Sequence, residues 1–341
     1  MADVYRWLKW FGAVRSPRLK LLGLWLLHVT GRRYIGVFLD PVLACNLRCR
    51  MCYFSDAAQR DRLKGRMTQE EITALGRALF PRALKLQIGC GAEPTLCPFL
   101  EDIVRLGKRE GVPHISLTTN GQLLDEKLLD RLAAAGLDEL TLSAHGLTAA
   151  TYERLMTGAR FDRFTGVLES VRRVRERWPA LRLRINYTLC ADNVEELARF
   201  DEVVAPARPD VLQLRPIQPL GATAYHNFSL EAVEAAYDRV IAPLLARCRG
   251  KGITCLVPTR AQLAEVNQPD NPLTEALETL VYCNLSPASH WEAGFDWQRD
   301  TFCSYCRRTR RARHILSLAL RRDAAQPEEK GRTKPLNYRV D

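Results

Sequence analysis

Cys45-Asn46-Leu47-Arg48-Cys49-Arg50-Met51-Cys52 follows the apolar, β-rich run Ile35–Leu43. Three thiols stand with three and then two residues between them, and no fourth Cys or His lies beside them. A closed zinc site takes four protein ligands. A cubane of four irons held by only three thiolates keeps one iron open to a substrate or cofactor. The residues leave two other readings: three incidental cysteines, or a zinc site completed by a distant ligand. Position favours chemistry, because parallel-strand barrels carry their reactive groups at strand C-terminal ends and in the loops that follow.

From that strand outward the chain alternates. Apolar β-rich runs recur at Leu84–Gly89, His114–Thr118, Glu139–Ser143, Leu181–Leu189 and Val211–Arg215. Helical patterns fill the gaps: Thr68–Phe80, with Thr68 as N-cap and Glu71 three residues on, then Phe99–Glu110, Asp125–Ala135, Phe161–Trp178 and Val194–Val204. Strands alternating with helices predict an α/β fold with a parallel sheet, closing into a full or partial barrel through right-handed crossovers. A further helix over Leu230–Arg249 leads to a short strand, Ile253–Val257. On the fifth strand Arg182, Arg184 and Asn186 share one face. Central parallel strands are usually apolar throughout, so this stripe is read as lining the barrel interior and meeting anionic groups; the alternative is a partly open sheet with a wet face.

The 341 residues are 47% hydrophobic and 26% charged, which excludes disorder, collagen and coiled coil and is enough for one large barrel or two ordinary domains. The longest apolar run, Leu21–Val29, is far too short to span a bilayer as a helix. No signal-peptide pattern is read, so the eleven cysteines are expected to be reduced and the protein cytoplasmic. The net charge of +11 sits at the ends: residues 1–35 hold seven Lys/Arg against one acid, and residues 307–341 hold eleven against four. Three of the six tryptophans, Trp7, Trp10 and Trp25, lie in residues 4–30, where Ser16-Pro17 divides two short helices. The second is apolar nearly all round: either it packs across one end of the fold or it anchors the protein peripherally to an anionic membrane surface. Basic ends also suit a polyanion, or simply form solvated termini.

The spacing CxxxCxxC after a first strand resembles the radical S-adenosylmethionine (AdoMet) superfamily, and residues 36–220 can be laid onto that family's six βα units. The resemblance implies a partial (β/α)6 TIM-like barrel over 35–257. It implies a 4Fe-4S cluster on Cys45, Cys49 and Cys52 and AdoMet chelated at the open iron. Reductive cleavage, fed by a flavodoxin- or ferredoxin-type reductant, would yield a 5′-deoxyadenosyl radical that abstracts a substrate hydrogen. Met51 and Tyr53 then flank the adenine. Gly89-Cys90-Gly91-Ala92-Glu93-Pro94 is similar to the family's Gly-Gly-Glu-Pro stretch, so Gly89, Gly91, Glu93 and Pro94 are expected at the methionine amino group. Thr118 and Asn120 at the third strand exit and Ser143 at the fourth are expected near the carboxylate and ribose; Arg184 and Asn186 are counted with the same cofactor site. His145 stands where relatives often carry an acid, and is a candidate for proton transfer. Cys190, like Cys90 and Cys255, is a candidate hydrogen donor.

Cys283, Cys303 and Cys306, with Trp291, Gly294, Phe295 and Trp297 between, resemble a shortened SPASM/twitch auxiliary-cluster region over 258–306, ahead of a basic tail, 307–341. The resemblance implies an auxiliary iron–sulfur cluster there; three thiols can hold one with an open iron, or Cys255 can serve as fourth ligand after a chain reversal, and zinc or plain packing are the other readings. The organic substrate is read as a natural product, peptide, or lipid- or nucleotide-linked molecule. It would undergo oxidation, epimerisation or bond formation. Two alternatives differ in class: an RNA-modifying radical enzyme, and a zinc-containing nucleic-acid-binding protein with Arg307–Arg313 on phosphates.

Overall fold

Period-two alternation along the strands sets the architecture. The computed structural model describes residues 14, 16–218, 223–225, 227–264 and 272–320. Strands β1 (Ile35–Leu39), β2 (Ala83–Ile88), β3 (His114–Thr119), β4 (Glu139–Ala144), β5 (Arg182–Leu189) and β6 (Val211–Pro216) lie side by side in chain order, each parallel to the next. This is the six-unit α/β core that the sequence predicts. It is extended at one edge by β7 (Thr254–Leu256), parallel to β6. At the other edge β8 (Tyr282–Ser286) runs parallel to β1, and β9 (Ser289–His290) folds back on it, giving nine strands.

The helices form where their caps and apolar stripes say they should. Helix α1 (Pro17–Val29) starts with Ser16 as N-cap and Pro17 in its first turn, where a missing N–H costs nothing. Thr68 and Glu71 cap α2 (Gln69–Leu79) reciprocally. Then come α3 (Leu100–Arg109), α4 (Glu126–Ala134), capped by Asp125, and α5 (Phe161–Arg177). Two expected helices are broken. Over 194–203 a 3-10 segment (Val194–Arg199) precedes one short α turn, and the Glu196 carboxylate is committed elsewhere: it accepts from the N–H groups of Leu147 and Thr148. The Leu230–Arg249 pattern contains a π turn, Tyr237–Ile241, just before α6 (Ala242–Gly250); Pro243 lacks the N–H that the regular ladder needs. Helices α7 (Pro272–Val281), α8 (Phe302–Arg308) and α9 (Arg311–Leu320) complete the layer.

Outward-facing strand residues are apolar and buried under the helices: Val37, Leu86, Ile115, Leu117, Leu140, Leu142, Leu183, Ile185 and Leu212 have no measurable exposure. The inward-facing set is polar, so the sheet has one oily and one wet side. Region 258–306 joins the barrel's own sheet at β1. The first and last described helices meet, α1 packing against α9. Leu21 and Leu24 of α1 are buried, whereas Leu19, Leu22, Leu26 and Val29 form an exposed stripe on another face. The first of the two expected N-terminal helices and the tail beyond Leu320 lie outside the described residues. Among those described, no helix is long and apolar enough to cross a membrane.

Leu140 lies midway along a central strand with no exposure. Leu140→Ala is therefore expected to cost about 2–5 kcal/mol, read as a lower urea midpoint at unchanged m-value.

Candidate active site

The strand C-terminal ends and the polar inner faces of the strands enclose one cavity. Cys45, Cys49 and Cys52 line it together with Met51, Tyr53, Gly89, Gly91, Glu93, Thr118, Asn120, Ser143, His145, Arg184 and Asn186. Pro94 is buried just behind this wall: a Cβ on Gly89 would fall 2.6 Å from its Cγ and 2.4 Å from the Thr118 carbonyl oxygen. With φ at +78°, position 89 thus needs glycine twice over, for conformation and for space.

The cysteine loop is pinned at both ends. The Arg48 and Arg50 amides donate to the carbonyls of Thr157 and Leu155, Leu47 is buried, and the Glu93 amide donates to the Ala44 carbonyl at 2.9 Å. Tyr53 donates its hydroxyl to the Gly91 carbonyl, tying this loop to the one after β2. Asn120 donates from Nδ2 to Asn46 Oδ1 at 2.9 Å, beside the Cys45 sulfur. Burial pushes all three thiols up, Cys45 to about 11, so positive charge must arrive before they ionise, and ligation would release protons. Among the described residues no three His, Cys, Asp or Glu side chains converge on a point that one metal ion could hold. The thiols thus surround a cavity rather than a preassembled single-ion site. This donor set fits a cluster that takes three protein sulfurs: Cys45, Cys49 and Cys52 would hold it, and Gly91 and Asn120 on the same wall would offer polar groups to a cofactor beside it.

Glu93 lines the cavity and is also held by the protein around it. Its Oε1 accepts from the Thr95 amide (3.1 Å), the Thr95 hydroxyl (2.5 Å) and the Thr119 hydroxyl (2.6 Å), and its Oε2 from the Asn120 amide (2.9 Å). Burial lifts its pKa against those four bonds. Three of the four bonds fall on Oε1, so the carboxylate braces the loop after β2 against the end of β3, while Oε2, with one protein donor, keeps acceptor capacity. Asp40, which sequence reasoning missed, does the matching job at β1: its buried carboxylate accepts from the amides of Cys90 (2.7 Å), Gly91 (3.0 Å) and Ala92 (3.3 Å).

His145 faces the cavity with a buried Nδ1 that has no hydrogen-bond partner among the described residues. Burial alone lowers its pKa to about 4, so the ring is neutral near pH 7 and offers a hydrogen bond rather than a titrating proton there. Cys190 does not line the cavity; it is buried in a cluster with Met51, Leu155 and Ile217. Of the three thiols read as hydrogen donors, Cys90 is the one on the cavity wall. Also missed were Lys85, Gln87, Glu139, Thr141, Gln213 and Arg215, all lining the interior. The signal that finds Arg184 and Asn186 finds these too: polar residues two apart within apolar strands.

The C-terminal cysteines stand elsewhere. Cys283 pairs in register with Val37, whereas Lys85 and Gln87, which face the cavity, pair with Gly36 and Phe38. Cys283 therefore points outward, into the helix layer, where Cys306 is also buried and Cys303 is exposed. Burial raises the Cys283 and Cys306 thiols; Cys306 is near enough to add to the rise at Cys283, and Cys303 to that at Cys306. Arg82 donates to Cys303 Sγ at 3.3 Å. Cys255 lies on β7, beside Cys248, with six strands of the sheet between it and β8. Nor is Arg307–Arg313 a uniform cationic face. Arg311 is buried, bonded to Glu292 at 2.5 Å and lying over Trp291, and Arg308 pairs with Asp300.

Residues 40–202 match the Radical SAM superfamily. A probable GTP 3′,8-cyclase of Sulfolobus acidocaldarius is 27% identical over 194 residues, 57% of this chain and 59% of that protein. A GTP 3′,8-cyclase of Chlorobaculum tepidum is 32% identical over 175 residues, 51% of each chain. The chain thus spans little more than half the length of these curated relatives. The crystal structure of Streptococcus suis SuiB bound to S-adenosylmethionine superposes with a TM-score of 0.57 at 14% identity, covering 74% of this chain and 58% of that one, and shares the fold.

Asp40→Ala leaves three amides without their acceptor. It is expected to destabilise the protein by about 1–3 kcal/mol, with hydrogen exchange accelerated at Cys90, Gly91 and Ala92 while amides of β5 keep their protection relative to global unfolding.

Proposed function

We propose that this chain, whose residues 40–202 match the Radical SAM superfamily, is a radical enzyme that cleaves AdoMet reductively and takes a hydrogen atom from an organic substrate held in the barrel. One observation carries the reading: the three thiols of the CxxxCxxC loop open onto the same cavity as Gly89–Glu93, Asn120 and the polar inner faces of β4–β6. Cys45, Cys49 and Cys52 would hold the 4Fe-4S cluster. When bound, that cluster supplies the electron that splits the sulfonium and gives the 5′-deoxyadenosyl radical. The chain's own residues do the rest. Gly89 and Gly91 keep side chains out of the cofactor's way, Met51 offers an apolar surface, and Asp40 and Glu93 fix the loop that the cofactor would touch. The walls below bind and orient the substrate and keep water from the radical.

The substrate reading remains a natural product, peptide, or lipid- or nucleotide-linked molecule, with oxidation, epimerisation or bond formation as the outcome. Support for the nucleotide-linked class comes from the names of the two cyclases. Cys90, on the cavity wall, is the thiol placed to return a hydrogen in an epimerisation. An auxiliary iron–sulfur cluster on Cys283, Cys303 and Cys306 belongs to the same proposal, supported by the grouping of their thiols beside Arg82 and Arg311. Its outward position suits bracing of the α1–α8 corner rather than contact with substrate. Protein reconstituted anaerobically with iron and sulfide is expected to be brown and to form 5′-deoxyadenosine with AdoMet and dithionite; Cys45→Ala, Cys49→Ala and Cys52→Ala each abolish both. Colourless protein with stoichiometric zinc would instead support the nucleic-acid-binding alternative.

The exposed stripe of α1 favours one further reading, docking against an anionic membrane surface. Leu19, Leu22, Leu26 and Val29 recur at helical spacing in a segment, residues 1–35, carrying a net charge of +6. Co-flotation with phosphatidylserine vesicles at low salt is expected, and its loss in the Leu19→Gln/Leu22→Gln/Leu26→Gln variant, which spares the buried Leu21 and Leu24. A wild-type protein that stays at the bottom of the gradient ends this reading.

A further inference from the structure

The barrel floor holds more positive than negative charge. Lys85 lies four residues before Gly89 on β2, on the order of 13 Å deeper than the cofactor-side loop. Its ammonium donates to Gln87 Oε1 at 3.0 Å, a neutral partner. Arg184 and Glu139 reach the same space from β5 and β4; their side chains are only 5% and 1% exposed and pair at 2.9 Å. Arg184 also donates to Gln213 Oε1 at 2.9 Å. Two cations thus share one carboxylate where water is scarce. Burial, with repulsion from Arg184 ahead of attraction to Glu139, lowers Lys85 to about 8. An ammonium kept in such a place is costly unless something compensates it.

Higher on the same wall two polar atoms are orphaned. His145 Nδ1 and Asn186 Oδ1 are buried, line the cavity and have no hydrogen-bond partner among the described residues. Buried polar atoms are nearly always satisfied, by protein, water or a ligand. Surplus positive charge at the floor and unsatisfied polar atoms midway up match a molecule with an anionic end and a hydrogen-bonding body.

We infer that the substrate carries an anionic group, a carboxylate or a phosphate, that docks on Lys85 and Arg184 at the floor of the barrel, while Asn186 and His145 hydrogen-bond the part of the molecule above it. This deepens the proposed function and rests on it in calling the ligand a substrate; the anion site itself rests on the floor geometry. Anchoring the far end at the floor leaves the body of the molecule standing toward the thiol loop, where its hydrogen would be taken. The docked anion offsets the surplus charge, and Gln87 and Gln213 hold the two cations in position around it.

The test uses the full chain, reconstituted anaerobically, in two titrations at constant ionic strength: one with inorganic phosphate, one with malonate. A saturable rise in Tm is expected in at least one arm, the stronger arm identifying phosphate or carboxylate as the docked group. In Lys85→Met the half-saturating concentration should rise on the order of tenfold or more, and Lys85→Arg should recover most of the loss; far-UV circular dichroism and iron content of the variants check folding. A wild-type protein with no saturable response to either anion overturns the inference, as does a response unchanged in Lys85→Met. Dithionite-dependent AdoMet cleavage is measured on the same wild-type preparation. Cleavage without anion binding overturns this inference alone, and anion binding without cleavage overturns the proposed radical chemistry alone.

Discussion

Two buried carboxylates hold the mouth of the barrel. Asp40 gathers three successive amides of the loop after β2, and Glu93, within that loop, accepts from the end of β3 and from its own turn. Carboxylate-to-amide bonds of this kind are charge-assisted, and they are stronger where water is excluded. Together they lock the ends of three adjacent strands into one rim. The Glu93 amide then holds Ala44, next to the first cysteine, so the thiol loop inherits its position from the same rim. Loops are ordinarily the mobile part of such folds; this one is tied down by backbone hydrogen bonds and by the buried Leu47 and Met51.

The strands divide their labour by parity. Outward residues fasten the sheet to its helices, and removing a side chain from water there contributes roughly 1.5–3 kcal/mol each. Inward residues are polar and charged, and contribute little to stability or cost some. Lys85, Arg184 and Glu139 face a solvent-poor interior where an apolar filling would be easier to fold around. A barrel packed for stability alone would not look like this. The interior is shaped for ligands, and the oily outer face supplies the stability that lets it stay polar.

The same parity separates the two cysteine groups. Cys45, Cys49 and Cys52 open inward at the strand ends, whereas Cys283 sits in a strand register that turns its thiol to the outer layer. Around it the two ends of the described chain are knitted together: Arg82 lies over Tyr34 and Phe302 and donates to Cys303, and His28 bonds Tyr34 at 2.8 Å. The corner where α1 meets α8 and α9 is thus a packed aromatic and cationic cluster, separated by the sheet from the cavity.

Short-range rules determined much of this protein. The thiol spacing, the Thr68–Glu71 cap, the glycine at 89 and the alternation of strands with helices are decided by neighbours within a few residues, so they can be read directly, and with them the six-unit barrel and the thiol edge of the site. Only the tertiary structure decided which polar residues meet. Asp40 has no local signal, because its three partners lie some fifty residues on. The spare charge at the floor exists only once β2, β4 and β5 are side by side. Nothing local tells that Thr119 and Asn120 at the end of β3 reach the Glu93 carboxylate, or that Cys255 and Cys283 stand on strands with six others between them. Side-chain type and local spacing survive in the linear chain; register, facing and distance are created by strand pairing, which joins residues the sequence holds far apart.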